Sequence, residues 1–364
     1  MRLCFISNPN STHTRRWVGW FARHGHTVSL VADVPLQEPW SEVPVIDLSR
    51  IFYAPIIRFP IWAIWLRRFL SQWRPDILHA HRVNSAGWLA AASGFHPLVI
   101  TPWGTDLYQL PQQSRLARWL AHYVLQHADL ITADAMDLLQ TARHYGADPA
   151  CLSLIQWGVD LSHFYPGPAD ISLRTELGLI GGPIILSPRG VNPIYNLDII
   201  IQAMPAVRAS LPGAILLIRD YNTDSIYKRH LEELITSLDL SKAVRWIGRV
   251  EPCERVVDIY RLADVVVSVP MSDSTPVSIL EALACGIPVI TTDLPALHEW
   301  LVPGESGLMV PQRDPHALAT AICQILTNDK LSDRFRQIGP KIVETRANHQ
   351  LEMKKMEALY QTLL

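Results

Sequence analysis

Short apolar runs alternate with amphipathic stretches along almost the whole sequence, and that alternation admits few folds. Residues 2–6 read as an apolar strand, followed by a polar loop and a helical pattern over 14–24. Gly25 and His26 then turn the chain into a second strand at 27–31. The order repeats with a helix over 61–73, a strand at 76–79, a helix over 85–93 and a strand at 97–101. A helix over 114–127 leads to a strand at 130–133. Such βαβα order predicts parallel sheets with helices on both faces.

A second series opens with the unbroken apolar run at 183–187, as expected of a central strand buried on both sides. Strands follow at 214–218, 244–247, 265–268 and 288–291, with helices over 197–210, 227–238, 255–262 and 277–285. Asp314-Pro315 opens another helix, with Asp as N-cap and Pro at the first helical position. The Pro- and Gly-rich stretch 165–170 is the best linker. The expectation is therefore an α/β chain of two Rossmann-like domains, 1–168 and 169–340, with a C-terminal helix in 341–364 that packs back on the first.

Composition removes several alternatives. With 18% charged residues, 49% hydrophobic residues and a net charge of -2, the chain has material for two cores and no global basic field for nucleic acid. Five scattered Cys without a C-x-x-C pair fit a reduced, cytoplasmic protein and no zinc site. No apolar run is long enough to span a membrane. The two halves differ in kind. All but two of the 12 Trp precede residue 171, and no Lys precedes Lys228.

In Rossmann-like sheets, ligands sit beyond the carboxyl ends of the strands. The loop after the first strand, from Ser7 through Asn10, Thr12 and His13 to Thr14, contains no Gly, so it is not a dinucleotide fingerprint. Its helix start still offers N–H groups to an anion, or Thr12 or Thr14 is simply a cap. His79-Ala80-His81-Arg82 and Trp103-Gly104-Thr105-Asp106 follow later strands and are read as ligand-facing loop clusters. Arg189, after the strand at 183–187, suits phosphate oxygens, or a surface ion pair. Asp273 and Glu281 flank Ser274-Thr275-Pro276-Val277-Ser278, where Thr275 reads as N-cap and Pro276 as the first helical residue. A sugar or ribose beside that helix start would meet both carboxylates, and a phosphate its N–H groups. Ser278-x-x-Glu281 also reads as a capping box.

The stretch from Asp273 through Glu281 to Ala-Leu-Ala-Cys-Gly286-Ile-Pro288-Val-Ile resembles the signature of family 4 of the retaining glycosyltransferases, E-x(7)-E followed by A-x-A-x-G-x-P-V-I. Gly25-His26-Thr-Val, Asp76-Ile-Leu-His-Ala-His81, Gly158-Val-Asp160 with Phe164 and Pro166, and Gly304-Glu-Ser-Gly307-Leu-Met-Val match further family motifs in order. The resemblance covers nearly the whole chain. It implies the GT-B fold, two Rossmann-like domains facing each other across a cleft, with a UDP- or GDP-sugar donor in the second and a glycan or lipid-linked acceptor in the first. By position, Glu281 would bind ribose hydroxyls, Asp273 a hydroxyl of the donor sugar, and Arg189 the diphosphate. Ser274–Ser278 would offer backbone N–H groups, and Gly248 and Arg249 would border the base. Asp106 and Trp103 occupy the family's H-G-x-D, and Tyr195 and Asn196 the region of its R-x(4)-K. Asn10 and His13 stand on the first loop. The family uses no D-x-D metal, and no metal or cofactor beyond the donor is expected.

The chain departs from the pattern in instructive ways. Tyr195 stands near the place of the Lys, Asp273 replaces the first Glu, and Trp103 replaces the His. Arg219, Lys228, Arg15 and Arg16 are the alternatives for the missing second cation. The alternatives to hexosyl transfer are a non-catalytic glycan-binding or accessory subunit and, further off, a nucleotide-sugar epimerase. Residues 50–74, from Arg50 to Arg74, combine Trp62, Trp65 and Phe69 at helical spacing with Arg58, Arg67 and Arg68. That pattern is either a peripheral membrane patch beside a lipid-linked acceptor or an ordinary packed helix.

Overall fold

The computed structural model describes residues 1–51, 58–179, 181–248, 250 and 255–364. The chain forms two compact units, Met1–Trp157 together with Gln350–Leu364, and Gly158–His349. Each is a parallel sheet with helices packed on it, as the alternation predicts.

In the first unit the strands are β1 Arg2–Ile6, β2 Thr27–Ala32, β3 Val45–Asp47, β4 Ile77–His81, β5 Leu98–Thr101, β6 Leu130–Ala133 and β7 Leu152–Leu154. They run in the order β3-β2-β1-β4-β5-β6-β7, so the winding reverses between β1 and β4. Leu3, Phe5, Ile77, Leu78, Val99 and Ile100 are fully or almost fully buried, which explains why these strands read as unbroken apolar runs. The closing helix His349–Thr362 packs on this sheet. Glu352 accepts the Gln156 N–H at 3.0 Å, Trp20 Nε1 donates to Gln350 at 2.8 Å, and Tyr360 lies against Phe21 and His79.

In the second unit the strands are β8 Ile184–Ser187, β9 Ile215–Arg219, β10 Val244–Ile247, β11 Val265–Ser268, β12 Val289–Thr292 and β13 Leu308–Val310. Their order is β10-β9-β8-β11-β12-β13, with the reversal between β8 and β11. The sheet separates two cores. Ile184, Leu186, Ile215 and Leu217 face one, with helix Val277–Ala284; Ile185, Leu216 and Ile218 face the other, with helix Leu197–Ser210. Burying each such side chain is worth about 1.5–3 kcal/mol. Asp314 caps helix Pro315–Thr327 through the N–H groups of His316 and Ala317, as its sequence position predicts.

The stretch 165–170, expected to link the domains, is packed within the second unit. Arg261 lies over the Tyr165 ring and donates to the Tyr165 carbonyl, and Val159 is tied to Ala347 and His349 by backbone hydrogen bonds. Gly158 has φ +66, and a Cβ there would meet the His349 backbone N at 2.7 Å, so this crossing needs a glycine.

Candidate active site

In the second unit the sequence candidates collect where the strand order reverses. Arg189 leaves β8 and Asp273 follows β11, the two strands flanking the reversal, where open parallel sheets place their ligands. Arg189 Nη1 lies 3.0 Å from Asp273 Oδ2, with the side chains only 12% and 13% exposed. The same nitrogen donates to Ser278 Oγ at 3.3 Å, and the guanidinium sits 4.1 Å over the Tyr195 ring. This is a built ion pair at a strand end, not the surface pair that the sequence left open. Burial raises the Asp273 pKa above the usual carboxylate range, against the pull of Arg189 and the Ser274 N–H. Burial also works against the Arg189 charge, but Asp273, Tyr195 and Tyr221 more than offset it, so the guanidinium stays charged.

Helix Val277–Ala284 starts beside this pair. Pro276 occupies the N-cap, one residue later than the sequence reading of Thr275 as cap and Pro276 as first helical residue. A Pro side chain cannot cap, and the first N–H groups of an α-helix have no partner inside it. They present partial positive charge to the site. The Ser278–Glu281 capping box does not form, because Ser278 is already helical and its hydroxyl accepts from Arg189. Glu281 instead accepts from the Tyr260 hydroxyl at 2.8 Å. Burial and Glu281 push the Tyr260 pKa well up, so it stays a donor.

The remaining residues around this point are mostly braces. Thr275 is buried and its hydroxyl accepts from Trp300 Nε1 at 3.2 Å, while Ser274 donates its N–H to Asp273 Oδ1 at 3.1 Å. Tyr195 closes the 3₁₀ turn Pro193–Tyr195. Asn196, buried at φ +49, donates to the Val269 carbonyl at 2.9 Å and so ties the exits of β8 and β11 together. Gly248 is exposed after β10, with open space where a side chain would stand. Arg249 lies outside the described residues.

In the first unit the strand-end residues form an aromatic cluster. The His13 and Trp103 ring centroids lie 5.2 and 5.4 Å from that of Trp157, and Arg82 stands 4.4 Å over Trp103. Asp106 is buried and accepts the N–H groups of Trp103 at 2.8 Å and Val83 at 2.7 Å, which fixes the Trp103 turn. Burial raises the Asp106 pKa, against those two N–H groups and Arg82. Asn10 is bound to the loop after β2: its amide donates to the Pro35 carbonyl and its oxygen accepts the Gln37 N–H.

His79 and His81, read from sequence as loop residues, lie in β4 and are almost fully buried. Polar partners make that burial tolerable. His79 meets the Tyr360 hydroxyl at 2.5 Å and Thr101 Oγ1 at 2.7 Å, and His81 Nδ1 meets Ser7 Oγ at 3.1 Å. Burial, with Arg82 and His13 adding to it, lowers the His81 pKa to about 3, and burial and His81 lower that of His79. Sequence reasoning missed Tyr221, Tyr260, Trp157 and Tyr360. Only Trp157 had a local signal, standing directly before the Gly158-Val-Asp160 motif.

Among the described residues, no group of three or more His, Cys, Asp or Glu is placed to hold a metal ion, and no helix is long and apolar enough to cross a membrane.

Residues 174–342 match the family model described as glycosyl transferases group 1, and residues 2–135 that described as glycosyl transferase 4-like. The chain is 30% identical over 267 residues to the D-inositol 3-phosphate glycosyltransferase of Rhodococcus erythropolis, covering 69% of this chain and 60% of that protein. It is 28% identical over 291 residues to D-inositol 3-phosphate glycosyltransferase 2 of Catenulispora acidiphila, covering 74% and 66%. The matched region thus spans less than two thirds of these relatives' length. Among solved structures, Anabaena HepE in complex with UDP and glucose superposes with a TM-score of 0.83 at 16% identity over 100% of both chains. Sucrose-phosphate synthase from Thermosynechococcus elongatus gives 0.83 at 21% identity, covering 100% of this chain and 99% of that one. At such identities the likeness speaks for the GT-B fold alone. With one family model in each unit and GT-B neighbours along its full length, the chain belongs to the group 1, or 4-like, glycosyl transferases.

Proposed function

We propose that the chain is a retaining hexosyltransferase that takes its sugar from a UDP- or GDP-linked donor held by the second unit and passes it to a glycan or lipid-linked acceptor held by the first. The observation that carries this reading is the buried Arg189–Asp273 pair beside the uncapped start of helix Val277–Ala284, at the reversal of the second sheet. A donor diphosphate placed there meets a fixed guanidinium and free helix N–H groups, both preorganised for the charge that develops on the leaving group. Tyr260 orients the Glu281 carboxylate, which then accepts from ribose hydroxyls. Asp273 accepts from a hydroxyl of the donor sugar. In front-face substitution the bond from the anomeric carbon to the diphosphate oxygen breaks, the bond to the acceptor oxygen forms on the same face, and the acceptor proton passes to the leaving phosphate. The proposal assigns charge stabilisation to protein groups and routes no step through a metal. Trp103 and His13, backed by the buried Trp157 ring, offer the aromatic surface for the acceptor.

Removal of the Glu281 carboxylate tests this. Glu281→Ala is expected to keep its fold and to lose about a hundredfold in transfer rate, the size expected for one charged hydrogen bond. Wild-type turnover in that variant would show that the site is misassigned. Tyr195 near the place of the family's Lys and Trp103 in place of its His keep a non-catalytic glycan-binding subunit as the second reading. Calorimetry separates the two, because a binding subunit takes up neither UDP nor GDP at millimolar concentration.

A further inference from the structure

The site holds a second arginine. Ser187 on β8 pairs with Ile218 on β9, so Arg219 stands just past that pair on one strand and Arg189 just past it on the other. Alternation along β9 puts Arg219 on the sheet face of Ile215 and Leu217, the face that carries helix Val277–Ala284 and Tyr260. The two arginines are built alike. Arg189 lies 4.1 Å over Tyr195, and Arg219 lies 4.7 Å over Tyr221. Tyr221 joins the two loops, since its hydroxyl donates to the Pro188 carbonyl at 3.2 Å and its own carbonyl accepts the Val191 N–H. Gly190 allows this approach, because a Cβ there would meet the Tyr221 carbonyl oxygen at 2.7 Å. Both guanidinium charges act on the Tyr221 hydroxyl, and Arg219 and Glu281 both act on Tyr260.

Among the described residues, the alternative cation of this unit read from the sequence, Lys228, is already engaged. Lys228 is paired with Asp220, lies within 4.0 Å of Glu232 and sits over Trp246. Arg219 has no carboxylate partner among the described residues, and its Nε is buried without a hydrogen-bond acceptor. A half-buried guanidinium left without an anion is costly unless a ligand supplies one.

We propose that Arg219 is the second cation for the donor diphosphate, standing in for a lysine whose place Tyr195 occupies. Tyr195 carries no charge to the phosphates; it is the face on which Arg189 is held. The inference rests on the donor reading above and adds to it which side chain completes the anion site. The diphosphate bridges Arg189 and Arg219, with the start of helix Val277–Ala284 as the third contact.

The test is calorimetry of the whole chain, as wild type, Arg219→Ala and Arg219→Lys, with UDP and GDP and with uridine and guanosine. The alanine change is expected to weaken whichever diphosphate the wild type binds by about 10- to 100-fold, the range for a lost charged hydrogen bond. The nucleoside affinity should stay within about twofold, and the lysine variant should recover part of the loss. Equal losses for nucleoside and diphosphate would make Arg219 a base, ribose or structural contact and overturn the proposal, as would no loss for either. If the wild type takes up neither diphosphate, the donor reading itself fails and the assignment falls with it. If the alanine variant is unfolded by circular dichroism, the lysine variant decides alone: unchanged selectivity for diphosphate over nucleoside supports the charge role, and loss of all nucleotide binding overturns it.

Discussion

At the residue scale the sharpest energetic consequence concerns β4. Burial holds His81 neutral, with a folded pKa of about 3 against an ordinary value of 6.5, and lowers His79 in the same direction. Between those values the unfolded chain binds the proton and the folded one does not. Stability is therefore fully present above about pH 6.5 and is lost as pH falls from there toward the folded pKa. One proton per imidazole sets the slope, about 1.4 kcal/mol per pH unit for each. Asp106 and Asp273, raised by burial, act with the opposite sign. Urea unfolding of wild type and His81→Asn between pH 7 and 5 isolates the imidazole, because both proteins keep both carboxyls. The wild type is expected to lose more stability per pH unit by about that slope, and parallel curves would show that His81 titrates normally in the fold. The same residues show what a sequence hides. A histidine beside another histidine looks like a loop until Tyr360, far along the chain, is seen to satisfy it. Arg189, Asp273 and Glu281 were legible because a motif fixes their spacing. Arg219 was one of four possible cations, and only the engagement of Lys228 with Asp220 and the stacking of Arg219 on Tyr221 separate it from that alternative.

At the scale of elements, strands buried on both faces were the most legible. The sequence bounds of β1, β6, β10 and β11 coincide with the observed ones, as do those of helices Ser85–Ser93 and Leu197–Ser210. Of the sheet-margin strands, β10 was read although Arg245 and Trp246 on it are only partly buried, whereas β3, β7 and β13 went unread, because three residues are too short to show a period. Helix Arg58–Trp73 is an element with two readings. Trp62, Leu66 and Leu70 are buried, so the packed-helix reading describes that side. Beside them, at the edge of the same helix face, Trp65, Phe69 and Trp73 are half-buried and stack in a ladder, with centroids 5.2 and 6.0 Å apart, and the Trp73 ring also lies under Arg2. Residues 52–57 of the expected patch lie outside the described residues. We propose that this ladder, with Arg68 and Arg74, meets anionic lipid at the membrane surface. Arg67 contributes less, since its guanidinium is bound to the Ser93 and Ala92 carbonyls. Co-sedimentation with vesicles containing phosphatidylserine should show binding that falls several-fold in Trp65→Ala. Binding that is equal on neutral vesicles, or unaffected by the substitution, would return the helix to a purely structural role.

At the scale of the whole molecule, the two units follow one plan, a parallel sheet whose order reverses once. They differ in continuity. The second unit is one stretch of chain, whereas the first needs Gln350–Leu364 to complete it. Without that segment Tyr360 no longer meets His79, Glu352 no longer holds the Gln156 N–H, Phe21 loses the Tyr360 ring, and Trp20 loses its Gln350 acceptor. A fragment of residues 1–157 is expected to lack cooperative unfolding and to exchange its β4 amides rapidly, and adding a peptide of residues 350–364 is expected to slow that exchange. Native-like protection in the fragment alone would show that the segment is dispensable.

The discontinuity also sets a timetable. On the ribosome, every strand of the first sheet emerges before the segment that finishes it, and the entire second unit is translated in between. The first unit is thus begun first and closed only by residues 350–364, so its apolar face stays uncovered while the whole of residues 158–349 is translated.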